Sequence, residues 1–168
     1  MERRKVIEAI SAARSEIVML YPFYGSILMN LRIALADCGT AATDMRKLIF
    51  DPQFVLRLSS EELQFVMMHE VMHNVLRHCI RGENKIGEIY NVAADIVVNS
   101  NIMKSMGVTS FTVDGEEVMH KAPDDKEGYL YSAEDVYDML MDLGVSMPGG
   151  DEDSMQPGTS DNEAKQDQ

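Results

Sequence analysis

The spacing of apolar residues in the middle of the chain predicts a long helix. No Pro or Gly interrupts this segment before Gly82, and Ser59 and Glu62 stand three residues apart at its start. That pair is the signature of a capping box with Ser59 as the N-cap. The apolar residues recur every three or four positions, as on one side of a helix; they are Leu63, Val66, Met67, Val71, Val75, Leu76 and Ile80.

Three other segments also have helical patterns. Residues 3–20 place apolar side chains on or near one side, and the Tyr21-Pro22 pair ends this helix because the residue before proline avoids helical backbone angles. Residues 86–103 are mostly apolar, and their length and alanines favour a buried helix. A capping signature at Ser132 to Asp135 opens a short helix that continues through Met141.

The remaining folded segments predict a small amount of sheet. Residues 31–36 alternate as in a strand, and a second short strand fits residues 47–50, ended by Asp51-Pro52. Residues 107–128 have a weaker pattern with a turn at Asp114-Gly115, which fits a loop or a hairpin placed to close over a cleft. The pattern as a whole predicts a mostly helical α+β fold with a small β-sheet.

Composition narrows the class of protein. The 168 residues suffice for one domain with a real core, and the net charge of −13 argues against a nucleic-acid-binding surface. No stretch approaches the length of a membrane span, no signal peptide is recognisable, and two cysteines make no disulfide framework, so we expect a cytoplasmic protein without a membrane. We predict a domain at residues 1–147 and a disordered acidic tail at residues 148–168.

The His-Glu-x-x-His sequence at residues 69–73 supplies candidates for metal ligands and for a catalytic base. On a helix, His69 and His73 lie one above the other and can hold the same metal ion. Glu70 stands beside that point, where its carboxylate can take a proton from a water molecule on the metal without being a ligand. The sequence thus predicts His69 and His73 as metal ligands and Glu70 as the catalytic base.

The predicted helix at residues 86–103 supplies a candidate for the third ligand. Asn91, Asp95 and Asn99 form a narrow polar stripe on its otherwise apolar surface. An ionised carboxylate there is costly unless it is paired or binds a metal, and catalytic zinc usually has three protein ligands. We therefore predict Asp95 as the third ligand, with Asn91 and Asn99 supporting the ligands or contacting substrate.

Alternatives remain open for this assignment. Glu88 lies two turns before Asp95 on a similar face. His78 binds the metal only if the helix that carries His69 and His73 ends early. Cys79 is a soft ligand that suits zinc but faces away from the histidine pair. Asp95 instead pairs with an arginine, Arg77 or Arg32, if no metal is present.

Four short motifs resemble a known family in their order along the chain. They are Thr40-Ala41-Ala42-Thr43-Asp44, Asp51-Pro52-Gln53-Phe54-Val55, His69-Glu70-Val71-Met72-His73 and Asn91-Val92-Ala93-Ala94-Asp95. The chain resembles the bacterial and phage "putative metallopeptidase domain", which usually precedes a von Willebrand factor A-like domain. The resemblance runs from about residue 9 to residue 140.

This resemblance implies a zincin-like fold with a His-Glu-x-x-His helix and metal-dependent peptidase activity. It also implies His69, His73 and Asp95 as ligands and Glu70 as base. The chain departs from the family at Tyr90, where members often carry Trp. It also shows no A-like domain after the metal-site domain, so we expect a separate protein partner to replace that domain.

Two functions follow as hypotheses. The first is a Zn²⁺-dependent endopeptidase that acts on a protein or peptide substrate, which pairs as an extended strand with residues 47–50. Candidates for stabilising the oxyanion are His120, Tyr129 and Tyr131, on their position in the chain alone. The second is a catalytically silent, metal-stabilised interaction module, whose metal would be closed by four protein ligands.

Overall fold

The computed structural model describes residues 1–44, 46–76 and 84–144. Over these residues the fold is α+β and mostly helical, as the sequence predicts. The helices are α1 (Glu2–Leu20), α2 (Pro22–Leu28), α3 (Pro52–Arg57), α4 (Ser60–Leu76), α5 (Gly87–Met106) and α6 (Ala133–Asp142). The strands are β1 (Arg32–Leu35), β2 (Ala41–Thr43), β3 (Lys47–Phe50), β4 (Thr112–Val113) and β5 (Glu116–Glu117).

Helix α1 confirms the first predicted helix and packs through a narrow stripe. Its buried residues recur at spacings of four, three and four, which places them on one side of the helix; they are Val6, Ile10, Ala13 and Ile17. Ile7 and Leu20, which the pattern placed near the same side, are exposed. Pro22 ends α1 and opens α2, because proline suits the first position of a helix but not its interior.

Three strands form the sheet beside these helices, in the order β1-β3-β2. Strand β1 is parallel to β3, with Arg32 opposite Lys47 and Leu35 opposite Phe50. Strand β2 is antiparallel to β3, with Ala41 opposite Phe50. The sequence predicts β1 and β3 but misses β2, because three residues with small side chains give no readable alternation.

The central place of β3 overturns one prediction. Its Leu48 and Phe50 are fully buried, and β1 and β2 occupy its two edges. An extended substrate therefore cannot pair with residues 47–50, so that prediction is wrong. The free edges of this sheet belong to β1 and β2.

Helix α4 begins with the predicted capping box. Glu62 N donates to Ser59 Oγ over 3.2 Å, and Ser59 N donates to the Glu62 carboxylate over 2.6 Å. The middle of α4 is buried between α1, α2, β2 and α5. The described part of this helix ends at Leu76.

Helix α5 confirms the second long predicted helix and runs one turn beyond it, to Met106. It ends at Gly107, which has a φ of 72° and adopts the left-handed conformation that glycine allows without a steric cost. Its C-terminal half joins the core formed with α1, the sheet and α4. Its N-terminal half packs against α6 in a second apolar cluster.

Strands β4 and β5 form the hairpin suggested for residues 107–128, and its turn lies at the predicted Asp114-Gly115 pair. Both turn residues have positive φ angles, of 50° and 82°. The turn is fastened to the body of the protein: Asp114 N donates to Glu62 over 3.0 Å, and Arg57 pairs with the Asp114 carboxylate at 3.3 Å.

The last described helix, α6, begins with the predicted capping box between Ser132 and Asp135. Residues 145–168 lie outside the described residues, so the predicted domain boundary at 147 and the acidic tail stay predictions. None of the described helices combines the length and the apolarity of a membrane span.

Candidate metal centre

Helices α4 and α5 bring three of the predicted residues together. The Nε2 atoms of His69 and His73 lie 3.0 Å apart. Asp95 Oδ1 lies 3.3 Å from His69 Nε2 and 3.2 Å from His73 Nε2. Two imidazole nitrogens and one carboxylate oxygen thus form a nearly equilateral triangle, in a group that can hold a metal ion.

The triangle has the dimensions of one face of a zinc coordination tetrahedron. Zinc binds imidazole nitrogen and carboxylate oxygen at about 2.0–2.2 Å, so two ligand atoms of a tetrahedral site stand roughly 3.3 Å apart. The observed edges of 3.0, 3.2 and 3.3 Å agree with this value. The residues present therefore fit the metal that the sequence predicts.

Asn99 holds His69 in the orientation that a metal ligand needs. The Asn99 amide nitrogen donates to Met119 O over 3.0 Å, and its Oδ1 lies 2.8 Å from His69 Nδ1. A flipped amide would set its oxygen against the Met119 carbonyl oxygen, so Oδ1 must face the histidine. His69 Nδ1 therefore carries the proton and donates it to Asn99, which leaves the Nε2 lone pair directed at the triangle.

The charges of the triangle support one another. Burial by itself raises the pKa of Asp95, but the adjacent imidazoles of His69 and His73 outweigh that effect and hold the pKa well below its ordinary value. Burial by itself lowers the pKa of His69, yet the pairing with Asp95 raises it overall. Asp95 is consequently ionised, as a metal ligand must be.

Glu70 stands beside the triangle and lines the same cleft as His69 and Asp95. It follows His69 directly in α4, so its side chain leaves the helix about 100° away from the histidine. Burial raises the pKa of the Glu70 carboxyl, and the two neighbouring histidines oppose that rise. The structure thus places a half-buried carboxylate next to the ligand group, outside it.

The cleft above the triangle is open to solvent and has a volume of about 310 Å³. One wall, the helical wall, consists of α4 and α5, and another, the hairpin wall, is the β4–β5 hairpin with the residues that follow it. Phe54 of α3 and Thr40, which precedes β2, complete the lining. The lining thus includes residues of both the metal-binding group and the hairpin.

The rival ligands do not join the group where the structure describes them. Glu88 is exposed in the first turn of α5, and Arg32, a proposed partner of Asp95, is exposed on β1. His78, Cys79 and Arg77 lie outside the described residues.

Of the two asparagines in the polar stripe, only Asn99 reaches the site. His69 contacts Asn99, and His73, one turn later on α4, contacts Asp95, one turn earlier on α5. These two helices are therefore antiparallel. Asn91 therefore lies toward the Leu76 end of α4, exposed and away from the cleft lining. The assignment of the site residues to their roles stays a prediction.

The three oxyanion candidates do not line the cleft. His120 is buried and bonds Glu127, whose carboxylate also accepts from Ser100 Oγ over 2.8 Å. Tyr129 lies against Lys104, and Tyr131 donates to Asp124. The sequence missed the glutamates of the hairpin wall, Glu116 and Glu117, for which the only signal was the turn before them.

Comparison with known families agrees with this geometry. A family model described as "Putative metallopeptidase domain" matches residues 6–168. The chain belongs to this family. No curated protein and no solved structure gave a significant match.

Membership supports a metal-binding peptidase in coarse terms, since the family description names that class. The matched range also covers both helices that carry the candidate ligands. The match says nothing about an A-like domain, so the protein partner expected to replace that domain stays a prediction.

Proposed function

We propose that this member of the metallopeptidase family is a zinc-dependent endopeptidase with a zincin-like active site. The observation that carries the proposal is the triangle of His69 Nε2, His73 Nε2 and Asp95 Oδ1, whose edges of 3.0 to 3.3 Å match tetrahedral zinc. The family description adds independent support for a metal and for a peptide substrate.

The three residues would hold Zn²⁺, and Asn99 keeps the His69 lone pair pointed at it. Zinc in such a site acts as a Lewis acid on a carbonyl group and lowers the pKa of a water molecule toward neutrality. With three protein ligands, the zinc would keep one position available for this chemistry. A purely structural zinc site is closed by four protein ligands, so the group formed by the described residues favours the enzyme over the interaction module.

Glu70 would act as the general base. Its carboxylate accepts the proton of the attacking water and then delivers that proton to the leaving amine nitrogen. The position beside the ligand triangle suits both transfers, because the carboxylate faces the cleft where a peptide would lie.

The edge of β2 is the place where an extended substrate would pair. Thr40 O accepts from Asp51 N, directly after β3, and Asp44 N donates to Lys47 O of β3, so the alternation of an antiparallel strand turns the backbone groups of Ala41 and Thr43 outward. Those groups have no backbone partner among the described residues. Because Thr40 lines the cleft, this edge begins beside the site. We therefore propose β2, instead of β3, as the strand with which an extended substrate pairs.

A Glu70→Gln variant tests the proposal. Because glutamine keeps the shape of the side chain but cannot accept a proton, the variant should fold, retain about one zinc per chain, and lose roughly two or more orders of magnitude in peptide cleavage. Zinc content by atomic absorption and cleavage of a broad peptide library measure both effects. Equal cleavage by the two proteins would exclude Glu70 as the base.

Absence of cleavage by the wild-type protein, with zinc bound, would instead support the interaction module. Zinc content therefore has to be measured on the same preparation as cleavage. A preparation without zinc at any supplied concentration would contradict the ligand assignment itself.

A further inference from the structure

The hairpin wall of the cleft differs from the helical wall in the residue types that it contributes to the lining. It contributes apolar contacts and two carboxylates to the lining, while the described residues that line the cleft include no Lys or Arg. The lining residues from this wall are Val113, Glu116, Glu117, Val118 and Met119.

The register of the hairpin turns Glu116 toward the body of the protein. Val113 is the partner of Glu116, and Val118 N donates to Phe111 O in the second pair outward, beyond the Thr112–Glu117 pair. Residues directly opposite each other on antiparallel strands project to the same face, and alternate residues share it. Phe111 stacks on Phe65 of α4 at 4.6 Å, so this shared face looks inward. Glu116 is a single carboxylate on an otherwise apolar inner face.

The charge of this wall is not balanced by neighbouring cations. Glu116 and Glu117 are exposed, and within the described part of the chain neither takes part in an ion pair. Asp114, two residues earlier, is by contrast neutralised by Arg57. A zinc ion would offset Asp95 and Glu70, so the two hairpin glutamates would remain as the negative charge that a bound peptide meets.

We infer that the cleft selects peptides that carry a lysine or arginine beside an apolar residue, with the cation placed against Glu116. This inference rests on the proposed function and names its substrate class. The apolar side chain would contact Phe54 and Val118, and Glu117 would add to the attraction from the outer face of β5. A peptide with an acidic residue at the same place would meet like charge and be rejected.

Binding of matched peptides to the zinc-loaded Glu70→Gln protein tests this inference without relying on cleavage. The peptides have the same apolar sequence and differ in carrying Lys, Gln or Glu next to it, and fluorescence anisotropy gives their dissociation constants. An exposed ion pair contributes at most about 1 kcal/mol, so the Lys peptide should bind up to about fivefold more tightly than the Gln peptide. The Glu peptide should bind most weakly.

A second substitution assigns the effect to the hairpin. Glu116→Gln should abolish most of the preference for Lys, whereas Glu61→Gln should preserve it, because Glu61 is exposed in the first turn of α4 and does not line the cleft. Both variants change the net charge equally. The preference should also shrink as salt is added, since salt screens exposed charges.

Several outcomes would overturn the inference. Equal binding of the Lys and Gln peptides, tighter binding of the Glu peptide, failure of all the peptides to bind, or a preference that survives Glu116→Gln would each do so. The proposed function fails separately. A wild-type protein that prefers Lys peptides but cleaves none would retain the inference and lose the peptidase, while cleavage without preference would do the reverse.

Discussion

The two walls of the cleft are built in opposite ways. The helical wall places its candidate ligands on α4 and α5, two long helices whose neighbouring residues Met68, Val71 and Ala94 are fully buried. The hairpin wall consists of two strands of two residues each, none of them buried. A few contacts attach it to the body, chiefly the Arg57–Asp114 pair, the Glu62–Asp114 hydrogen bond and the stacked Phe65–Phe111 rings.

This contrast separates two requirements of a peptidase. Metal ligands must be held within fractions of an ångström, which buried helices achieve because packing fixes their side chains. A surface that receives many peptide sequences can be held less firmly, and segments with few buried contacts open at lower free energy than the core. We therefore expect substitutions in the helical wall to affect metal binding and substitutions in the hairpin wall to affect peptide selection.

Removal of a ligand from the helical wall should have the largest effect. Asp95→Ala deletes one corner of the triangle, so zinc affinity should fall by more than the roughly 100-fold that loss of an outer supporting residue can cause. His73→Ala should do the same. A competition assay with a colorimetric chelator measures this affinity.

Glu88→Ala is the matched control for Asp95→Ala, because Glu88 lies on the same helix but is exposed at its start. It should leave zinc affinity unchanged. Zinc lost from the Glu88 variant but retained by Asp95→Ala would mean that the third ligand was assigned to the wrong carboxylate.

Substitution of Asn99 should have an intermediate effect, because this residue joins the two walls. It accepts from His69 and donates to Met119 O. Asn99→Ala should lower zinc affinity by about 10- to 100-fold, the usual consequence of losing the hydrogen bond behind a ligating histidine. Isothermal titration with zinc measures this change.

Two companion variants of Asn99→Ala distinguish orientation of the ligand from general destabilisation. Asn99→Asp can still accept from His69 but no longer donates to Met119 O, so it should keep more of the zinc affinity than the alanine variant. Asn101→Ala removes an asparagine that bonds within α5, to Val97 O, and should leave zinc affinity unchanged. If all of the variants lose zinc equally, Asn99 acts through the fold and not through His69.

Release of the hairpin should have the smallest effect on stability. The Arg57–Asp114 pair is about half exposed, with side-chain exposures of 51% and 39%, so Arg57→Ala should lower the free energy of unfolding by no more than about 1 kcal/mol. Zinc affinity should not change. Amide exchange at Val118, whose N–H donates to Phe111 O, should become faster. A large loss of zinc would show that the hairpin supports the metal directly.

The features that could be predicted from the sequence are the local ones. Capping boxes at Ser59 and Ser132 act over three residues, and each helix begins where its box predicts. The vertical alignment of His69 and His73 follows from one helical turn. The polar stripe on α5 pointed to Asp95, because the free-energy cost of an ionised carboxylate on an apolar surface does not depend on the rest of the fold.

Features that depend on distant segments were not readable in this way. Strand β2 has no signal of its own and forms only because β3 offers an edge to it. Asn91 and Asn99 have the same type and spacing relative to Asp95, and the antiparallel crossing of α4 and α5 decides that only Asn99 meets His69. No pattern in residues 107–128 indicated which face of the hairpin would turn toward the metal centre.

The sequence by itself determined the four longest helices, the first residues of the two that begin with a capping box, and which side chains can act together on one helical face, because these depend on contacts within a few positions. Only the tertiary structure decided the order of the strands, the partner of each metal-binding residue and the composition of the second wall of the cleft. Those outcomes depend on which surfaces bury one another, and burial is shared among segments that lie far apart in the chain.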